Sequence, residues 1–296
     1  MPLQGRLIAD IADAIGSATG QTFVPARQET AGGGCINRAH ALLGRDGRSF
    51  FLKLNSADKA DMFAAEAEGL AELERSGAIR VPRAIAHGIA EAEAWLVLEY
   101  LDLGGRGSGA DLGQRLAALH RVTGKTHGWH RDNTIGATRQ PNDPNSDWIA
   151  FYRGRRLEHQ LELARSNGAG KRLLESGERL MADLNAFFPG YTPAPSLLHG
   201  DLWGGNYAYA DGEPVLFDPA VYYGDREADL AMTELFGGFP ADFYAAYRQA
   251  WPLDPGYGVR KTLYNLYHII NHFNLFGGGY GSQAEQLASR LLAEIR

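Results

Sequence analysis

The sequence predicts an α+β fold of two lobes, a small antiparallel sheet with one helix followed by a larger helical lobe. Three observations lead there. Short β-patterned runs separated by turn signals crowd the first third of the chain. A glycine-rich break follows them, Leu103-Gly104-Gly105-Arg106-Gly107-Ser108-Gly109. Beyond it, apolar residues recur almost entirely at helical spacing. A length of 296 residues fits two domains or one two-lobed unit. We place an N-lobe at 1–101 and a helical C-lobe at 102–296.

Each element has its own signal. Leu3, Leu7, Ile8, Ile11 and Ile15 share one helical face and predict an amphipathic opening helix. Phe23-Val24, Ile36 to Leu43 and Ser49 to Leu54 read as short strands. Arg45-Asp46-Gly47-Arg48 is a hairpin turn between the last two. Asp58 to Ser76 is rich in Ala, Glu and Leu and predicts a helix closed by Gly77. Trp95 to Leu98 reads as a buried strand. After the glycine-rich break, helices are expected near 110–122, 147–166, 169–188, 226–236, 240–251, 258–276 and 282–295. Two short strands, near Ser196–His199 and Pro214–Phe217, interrupt them. A cleft between two such lobes is the expected ligand site.

The bulk composition excludes several classes. A formal net charge of −6 argues against a nucleic-acid binder, which needs a basic footprint. The single cysteine, Cys35, rules out an intrachain disulfide and fits a reducing cytoplasm. Asp10 and Asp13 interrupt the opening apolar pattern, which a signal-peptide core would not tolerate. No run of 18 apolar residues exists, so no membrane span is expected.

The strongest chemical signal is His199-Gly200-Asp201-Leu202-Trp203-Gly204-Gly205-Asn206, followed by Phe217-Asp218-Pro219. Phosphoryl transfer needs a carboxylate beside the attacking hydroxyl and oxygen ligands for the metal on the triphosphate. In the kinase pattern, an Asp and an Asn five residues later share a loop, and a second Asp follows a hairpin. Asp201 is then the base, and Asn206 and Asp218 are hard oxygen donors suited to Mg²⁺. The same residues could form an ordinary polar loop, because His-Gly-Asp and Asp-Pro make good turns. The upstream sequence favours chemistry. Lys53 stands inside an apolar strand, as a snorkelling side chain or as a phosphate-binding lysine paired to a helical glutamate. Glu66 and Glu68 are two residues apart and point in different directions. Glu66 is chosen because it lies three residues after the apolar Phe63.

Weaker signals complete the site. Gly32, Gly33 and Gly34 fall about twenty residues before Lys53, where backbone N–H groups could approach phosphates, although three glycines are often only a turn. Glu99, Tyr100 and Leu101 would offer backbone groups to adenine, or simply end a strand. Gly200 follows His199 where a protein kinase has arginine, Trp203 replaces the catalytic-loop lysine, and no Ala-Pro-Glu follows Asp218 at the usual distance. A small-molecule acceptor is therefore favoured over a protein-kinase substrate.

At this level of detail the chain resembles the fructosamine kinase family. The resemblance rests on Gly32-Gly33-Gly34-Cys35-Ile36, Met62-Phe63-x-x-Glu66, Leu198 to Asn206 and Asp229-Leu230-Ala231-Met232-Thr233-x-Leu235-Phe236-Gly237-Gly238-Phe239. Gly128-Trp129-x-x-Asp132-Asn133-x-Ile135-Gly136 followed by Asp147-Trp148 adds to it. It covers nearly the whole chain, and the Leu-Trp and Leu-Phe-Gly-Gly-Phe stretches are its most specific parts. It implies a protein-kinase-like bilobal fold, ATP and Mg²⁺. It also implies phosphorylation at O3 of a ketosamine such as a fructosamine or ribulosamine, in the service of deglycation. By position, Asp201 resembles the family's base, Asn206 and Asp218 its metal ligands, and Lys53 and Glu66 its phosphate clamp. His199 and Asp229 would support the catalytic loop. Asp225 and His127 depart from the family pattern, where histidine and an aromatic are commoner.

Trp203, Trp129, His130, Asp132 and Asn133 are candidates to line the acceptor pocket, since a sugar needs hydrogen-bonding groups and a flat apolar face. Trp129 and Trp148 are equally consistent with core aromatics. His268 and His272, four residues apart on a helix, read as a packed or solvent-facing pair rather than metal ligands. Arg153, Arg155 and Arg156 read as a solvated helix face. Cys35 is either a redox switch in the glycine loop or an unreactive small residue. The expected acceptor is a small-molecule or protein-bound ketosamine, with no nucleic acid, no membrane, and a monomer or weak homodimer. An aminoglycoside or choline kinase-like phosphotransferase and a nucleotide-binding pseudokinase scaffold are the competing readings.

Overall fold

The computed structural model describes residues 5–32 and 36–295. Gly33, Gly34 and Cys35, and the readings attached to them, lie outside the described residues, as does Leu3. Two compact units emerge. One joins the described residues up to Gly107 with Ala208–Asp218; the other joins Ser108–Tyr207 with the residues from Pro219 onward. The first segment of the sheet unit thus ends six residues after the expected cut at 101, and a later hairpin is added to it.

In the sheet unit, helix α1 (Arg6–Thr19) buries Leu7, Ile11, Ala12 and Ile15 and stops at Gly20, whose φ of 71° is the left-handed helix cap. Strands β1 (Pro25–Thr30), β2 (Arg38–Gly44) and β3 (Ser49–Ser56) precede helix α2 (Ala60–Arg75). Strands β4 (Ala84–Ala90) and β5 (Glu93–Glu99) follow it. The five strands form one antiparallel sheet in the order β1-β2-β3-β5-β4. Side chains alternate across a strand. On β3, Phe50, Leu52 and Leu54 therefore join Leu42, Trp95, Val97 and the apolar face of α1 in one core. Lys53, one residue out of phase, points to the other face.

The two edge strands escaped the sequence reading. β1 lies just after Phe23-Val24 and opens with Pro25, which an edge strand tolerates because it need not donate on its free side. β4 is the opposite edge and shows no clean alternation. An edge strand has one neighbour, so its sequence is less constrained by burial.

The helical unit begins with α3 (Gly109–His120), capped by the Ser108 hydroxyl, which accepts from the Asp111 N–H. A small hairpin of β6 (Asn133–Ile135) and β7 (Thr138–Gln140) follows. Then come α4 (Trp148–Tyr152) and α5 (His159–Ser166), joined by a π-helical turn over Arg153–Glu158, and α6 (Lys171–Ala182). Strand β8 (Ser196–Leu198) leads to the hairpin of β9 (Tyr207–Ala210) and β10 (Glu213–Leu216). Most of that hairpin belongs to the sheet unit: the Leu216 N–H donates to the Arg80 carbonyl at 3.0 Å, and Val215 bridges Arg80 in parallel. Strand β11 (Tyr222–Gly224) pairs with β8. Helices α7 (Glu227–Leu235), α8 (Ala241–Ala250), α9 (Tyr257–Phe276) and α10 (Tyr280–Glu294) complete the unit. α9 is buried on almost every side between Thr262 and Asn271 and forms the centre of the unit.

One sequence expectation is overturned here. Arg156 is fully buried rather than on a solvated face. The π-helical turn shifts the helical phase by one residue. Its guanidinium donates to the Pro141 carbonyl at 2.7 Å and to Asn142 Oδ1 at 2.8 Å, and lies 4.1 Å from the Tyr222 ring centroid. Arg153 donates to the Met181 carbonyl, and Arg155 remains exposed. No helix among the described residues is long and apolar enough to cross a membrane.

Candidate active site

In the sheet unit, the odd phase of Lys53 on β3 carries its ammonium to α2. Its Nζ lies 2.5 Å from Glu66 Oε1 and 2.5 Å from Asp218 Oδ1. Glu66 shares the inward face of α2 with Phe63, while Glu68 is exposed. Burial works to lower the Lys53 pKa, but the Asp218 and Glu66 carboxylates outweigh it and hold the ammonium above its ordinary range. Burial raises the Glu66 pKa, Lys53 opposes it, and the like charge of Asp218 adds to the rise. Two carboxylates face one ammonium, so the cluster has an excess of negative charge, which raises the Lys53 pKa against burial and adds to the rise that burial gives Glu66. Lys53 is 6% exposed and Asp218 44%, so the group is closed on the lysine side and open at Asp218. Asp218 has a φ of 57°, a left-handed conformation that is uncommon for non-glycine residues and that aspartate tolerates better than most.

Glu99 ends β5, with its carboxylate accepting from the Arg83 N–H. Tyr100 is exposed and Leu101 half-buried, both outside any strand. Gly32, the described member of the glycine run, is exposed, and a Cβ there would meet nothing within 4 Å.

In the helical unit, the loop after β8 is held from below by Asp229 of α7. Its Oδ2 accepts from the His199 N–H at 2.7 Å, and its Oδ1 from the Gly200 N–H at 2.8 Å. Gly200 is required here: its φ is 85°, and a Cβ would sit 2.0 Å from the Ala220 carbonyl oxygen. With the backbone clamped, Asp201 projects from a fixed turn, its N–H 3.3 Å from His199 Nδ1. Asn206 Nδ2 donates to the Asp201 carbonyl at 2.8 Å and to Asp201 Oδ2 at 3.3 Å. That orientation turns the Asn206 Oδ1 away from Asp201. Burial alone would raise the Asp229 pKa, but its bond to His120 and the nearby imidazoles bring it below the usual carboxylate range.

The acceptor candidates separate. Trp203 is 39% exposed beside the loop. Trp129 is buried, with His130 packed edge-on at 4.4 Å. Asp132 accepts from the Asn142 N–H and the Arg139 guanidinium. Asn133 donates to the Val221 carbonyl and accepts from Gln140 and Asn142. The geometry gives Trp129, Asp132 and Asn133 structural work around β6 and β7, and it gives Trp148 a core place beside Tyr264.

Sequence reasoning missed His120 and Tyr247. His120 Nε2 lies 3.2 Å from Asp229 Oδ2, and its Nδ1 lies 2.7 Å from the Tyr247 hydroxyl. The only signal was a histidine four residues after Leu116 on the apolar face of α3. Among the described residues no group of three or more His, Cys, Asp or Glu could hold a metal, and His268 and His272 are packed into the helical unit.

A five-stranded antiparallel sheet with a buried lysine–glutamate pair, together with a helical unit bearing an Asp–Asn loop, defines the protein-kinase-like phosphotransferase fold. A macrolide 2′-phosphotransferase shares it, with a TM-score of 0.59 over 100% of this chain and 99% of that one, at 15% identity. The chain belongs to the fructosamine kinase family, whose model matches residues 7–294. It is 48% identical to the probable ketoamine kinase of Synechocystis sp. over 95% of this chain and 96% of that protein. It is 42% identical to the chloroplastic protein-ribulosamine 3-kinase of Arabidopsis thaliana over 90% of this chain and 83% of that one. The crystal structure of a provisionally assigned fructosamine-3-kinase from Haemophilus somnus 129PT superposes with a TM-score of 0.88 at 29% identity, covering 95% and 96% of the two chains.

Proposed function

We propose that this protein transfers the γ-phosphoryl group of ATP to O3 of a ketosamine, a fructosyl or ribulosyl amine. The observation that carries the reading is the Asp201 loop, a carboxylate and a carboxamide joined by their own hydrogen bonds on a backbone clamped by buried Asp229. In this reading Asp201 orients the O3 hydroxyl and takes its proton as the new O–P bond forms and the bridging bond to ADP breaks. Lys53, kept charged by its two carboxylates, holds phosphate oxygens, and Glu66 keeps it in place. Backbone groups of Gly32, Gly33 and Gly34 would cover the phosphates, and Glu99, Tyr100 and Leu101 would meet the adenine.

Asn206 and Asp218 fit a divalent ion, Mg²⁺ in this reading, by their hard oxygens and by the excess negative charge around Lys53. Such an ion supplies neutralisation of triphosphate charge. A phosphate at O3 lies next to the C2 carbonyl, which makes the adduct labile and releases the amine. The activity then serves deglycation, in the cytoplasm. The names of the relatives, ketoamine kinase and protein-ribulosamine 3-kinase, support this substrate class.

The test is ATP consumption with Mg²⁺ on ribulosyl-lysine, fructosyl-lysine, an aminoglycoside and choline. Turnover on a ketosamine is expected, with a loss of about 10²–10⁴-fold in Asp201→Asn while ATP still binds. Turnover confined to the aminoglycoside or choline would sink the substrate assignment.

A further inference from the structure

An aromatic strip leads away from the Asp201 loop within the helical unit. Trp203, two residues after Asp201, meets Phe236 edge-on with ring centroids 6.3 Å apart. Phe236, just past the end of α7, meets His272 of α9 at 4.8 Å. His272 meets Phe276 at 5.7 Å and Tyr280, at the start of α10, at 5.1 Å. The two ends are the most open, Trp203 at 39% and Phe276 at 53% exposed. Large aromatic side chains gain most by burial, so a connected, half-buried row whose two ends stay open beside a reactive loop points to a ligand that covers those ends.

Two further observations narrow the ligand. Glycines follow both phenylalanines, Gly237-Gly238 after Phe236 and Gly277-Gly278-Gly279 after Phe276. A Cβ at Gly237, Gly277, Gly278 or Gly279 would meet nothing within 4 Å. The borders of the strip are therefore bare backbone facing open space, and another chain can approach the rings. Burial also disfavours a charge on His272. Its Nδ1 donates to the His268 carbonyl at 2.8 Å, and burial lowers its pKa, so it adds no repulsion towards a cation.

We infer that Phe236, His272 and Phe276 form the subsite for the amine-bearing end of the acceptor, the alkyl stem and protonated secondary amine of a glycated lysine. The inference rests on the ketosamine reading and deepens it. A ketosamine has two chemically distinct ends. The sugar offers hydroxyls, which need Asp201 and polar partners. The amine end offers an ammonium and a hydrocarbon stem, which favour aromatic faces through cation–π attraction and apolar cover.

The test compares two acceptors with the same sugar, ribulosyl-lysine within an end-blocked tripeptide and 1-amino-1-deoxyribulose, which has no stem. Phe276→Ala, a change at an exposed helix end, is expected to raise KM for the peptide acceptor about 3- to 10-fold with kcat unchanged. It is expected to shift the KM of the stemless acceptor, which keeps only the ammonium, by a clearly smaller factor, and Phe276→Tyr restores the ring and the low KM. Equal shifts for both acceptors, or no shift for the peptide, would overturn the subsite while the wild-type turnover keeps the ketosamine reading. No wild-type turnover of either acceptor would overturn both.

Discussion

The two units hold their chemical groups by opposite means. In the sheet unit one cation, Lys53, has two carboxylate partners, Glu66 and Asp218. In the helical unit one carboxylate, Asp229, serves three donors, the His199 and Gly200 amides and His120. The first arrangement is redundant and one of its members is half open to solvent, so in the proposed reaction Lys53 would exchange a partner for a phosphate at small penalty. The second has no spare acceptor and is buried, so it fixes a backbone. A ligand-binding cation benefits from exchangeable partners, and a catalytic carboxylate benefits from a loop that does not move.

The largest expected effect tests the rigid side. Asp229→Ala leaves two buried amides and His120 without an acceptor. At about 1–3 kcal/mol for each orphaned group, we expect a loss of about 3–5 kcal/mol in urea unfolding and at least a tenfold fall in kcat. A loss below about 1 kcal/mol would break the contrast.

Acid separates the units next. Burial lowers the His127 pKa to about 4 and the His268 pKa to about 3, both in the helical unit. These groups bind a proton more readily when unfolded, so their stabilisation is full above about pH 6.5 and falls as pH drops towards 4. Each contributes a slope of about 1.4 kcal/mol per pH unit in that window. Lys53 behaves oppositely: its raised pKa means that its contribution is intact throughout this range and is lost only at strongly alkaline pH. Urea midpoints at pH 7 and pH 5 should therefore fall less for His127→Phe, which keeps the ring beside Trp148, than for the wild type. An unchanged pH dependence would count against burial of that imidazole.

The smallest effect tests redundancy. Glu66→Gln leaves Lys53 its bond to Asp218, so unfolding free energy should change by about 1 kcal/mol or less. A loss matching that of Asp229→Ala would show that Glu66 has no understudy.

The chain by itself determined a good deal. Helical periodicity located α1, α2, α3 and α7 to α10 within a few residues, because a helix is specified by neighbours three and four positions apart. Short β-patterned runs between turn signals located β2 and β3, and a continuous apolar run located β5; all three are inner strands, paired along both edges and so strongly constrained by burial. The spacing of Asp201, Asn206 and Asp218 pointed to phosphoryl transfer before any geometry was known. Other features became visible only in three dimensions. Edge strands β1 and β4 have too few neighbours to imprint a pattern. Arg156 is buried by a π-helical turn that no local periodicity announces. Asn133, a candidate to line the acceptor pocket, has hydrogen-bond partners in Gln140, Asn142 and the Val221 carbonyl that no local pattern announces. Lys53 meets Asp218 across 165 positions, and His120 meets Asp229 across 109. Local order is encoded in adjacent residues, whereas a charge's partner depends on which distant segments the core brings together, and only the tertiary structure decided that.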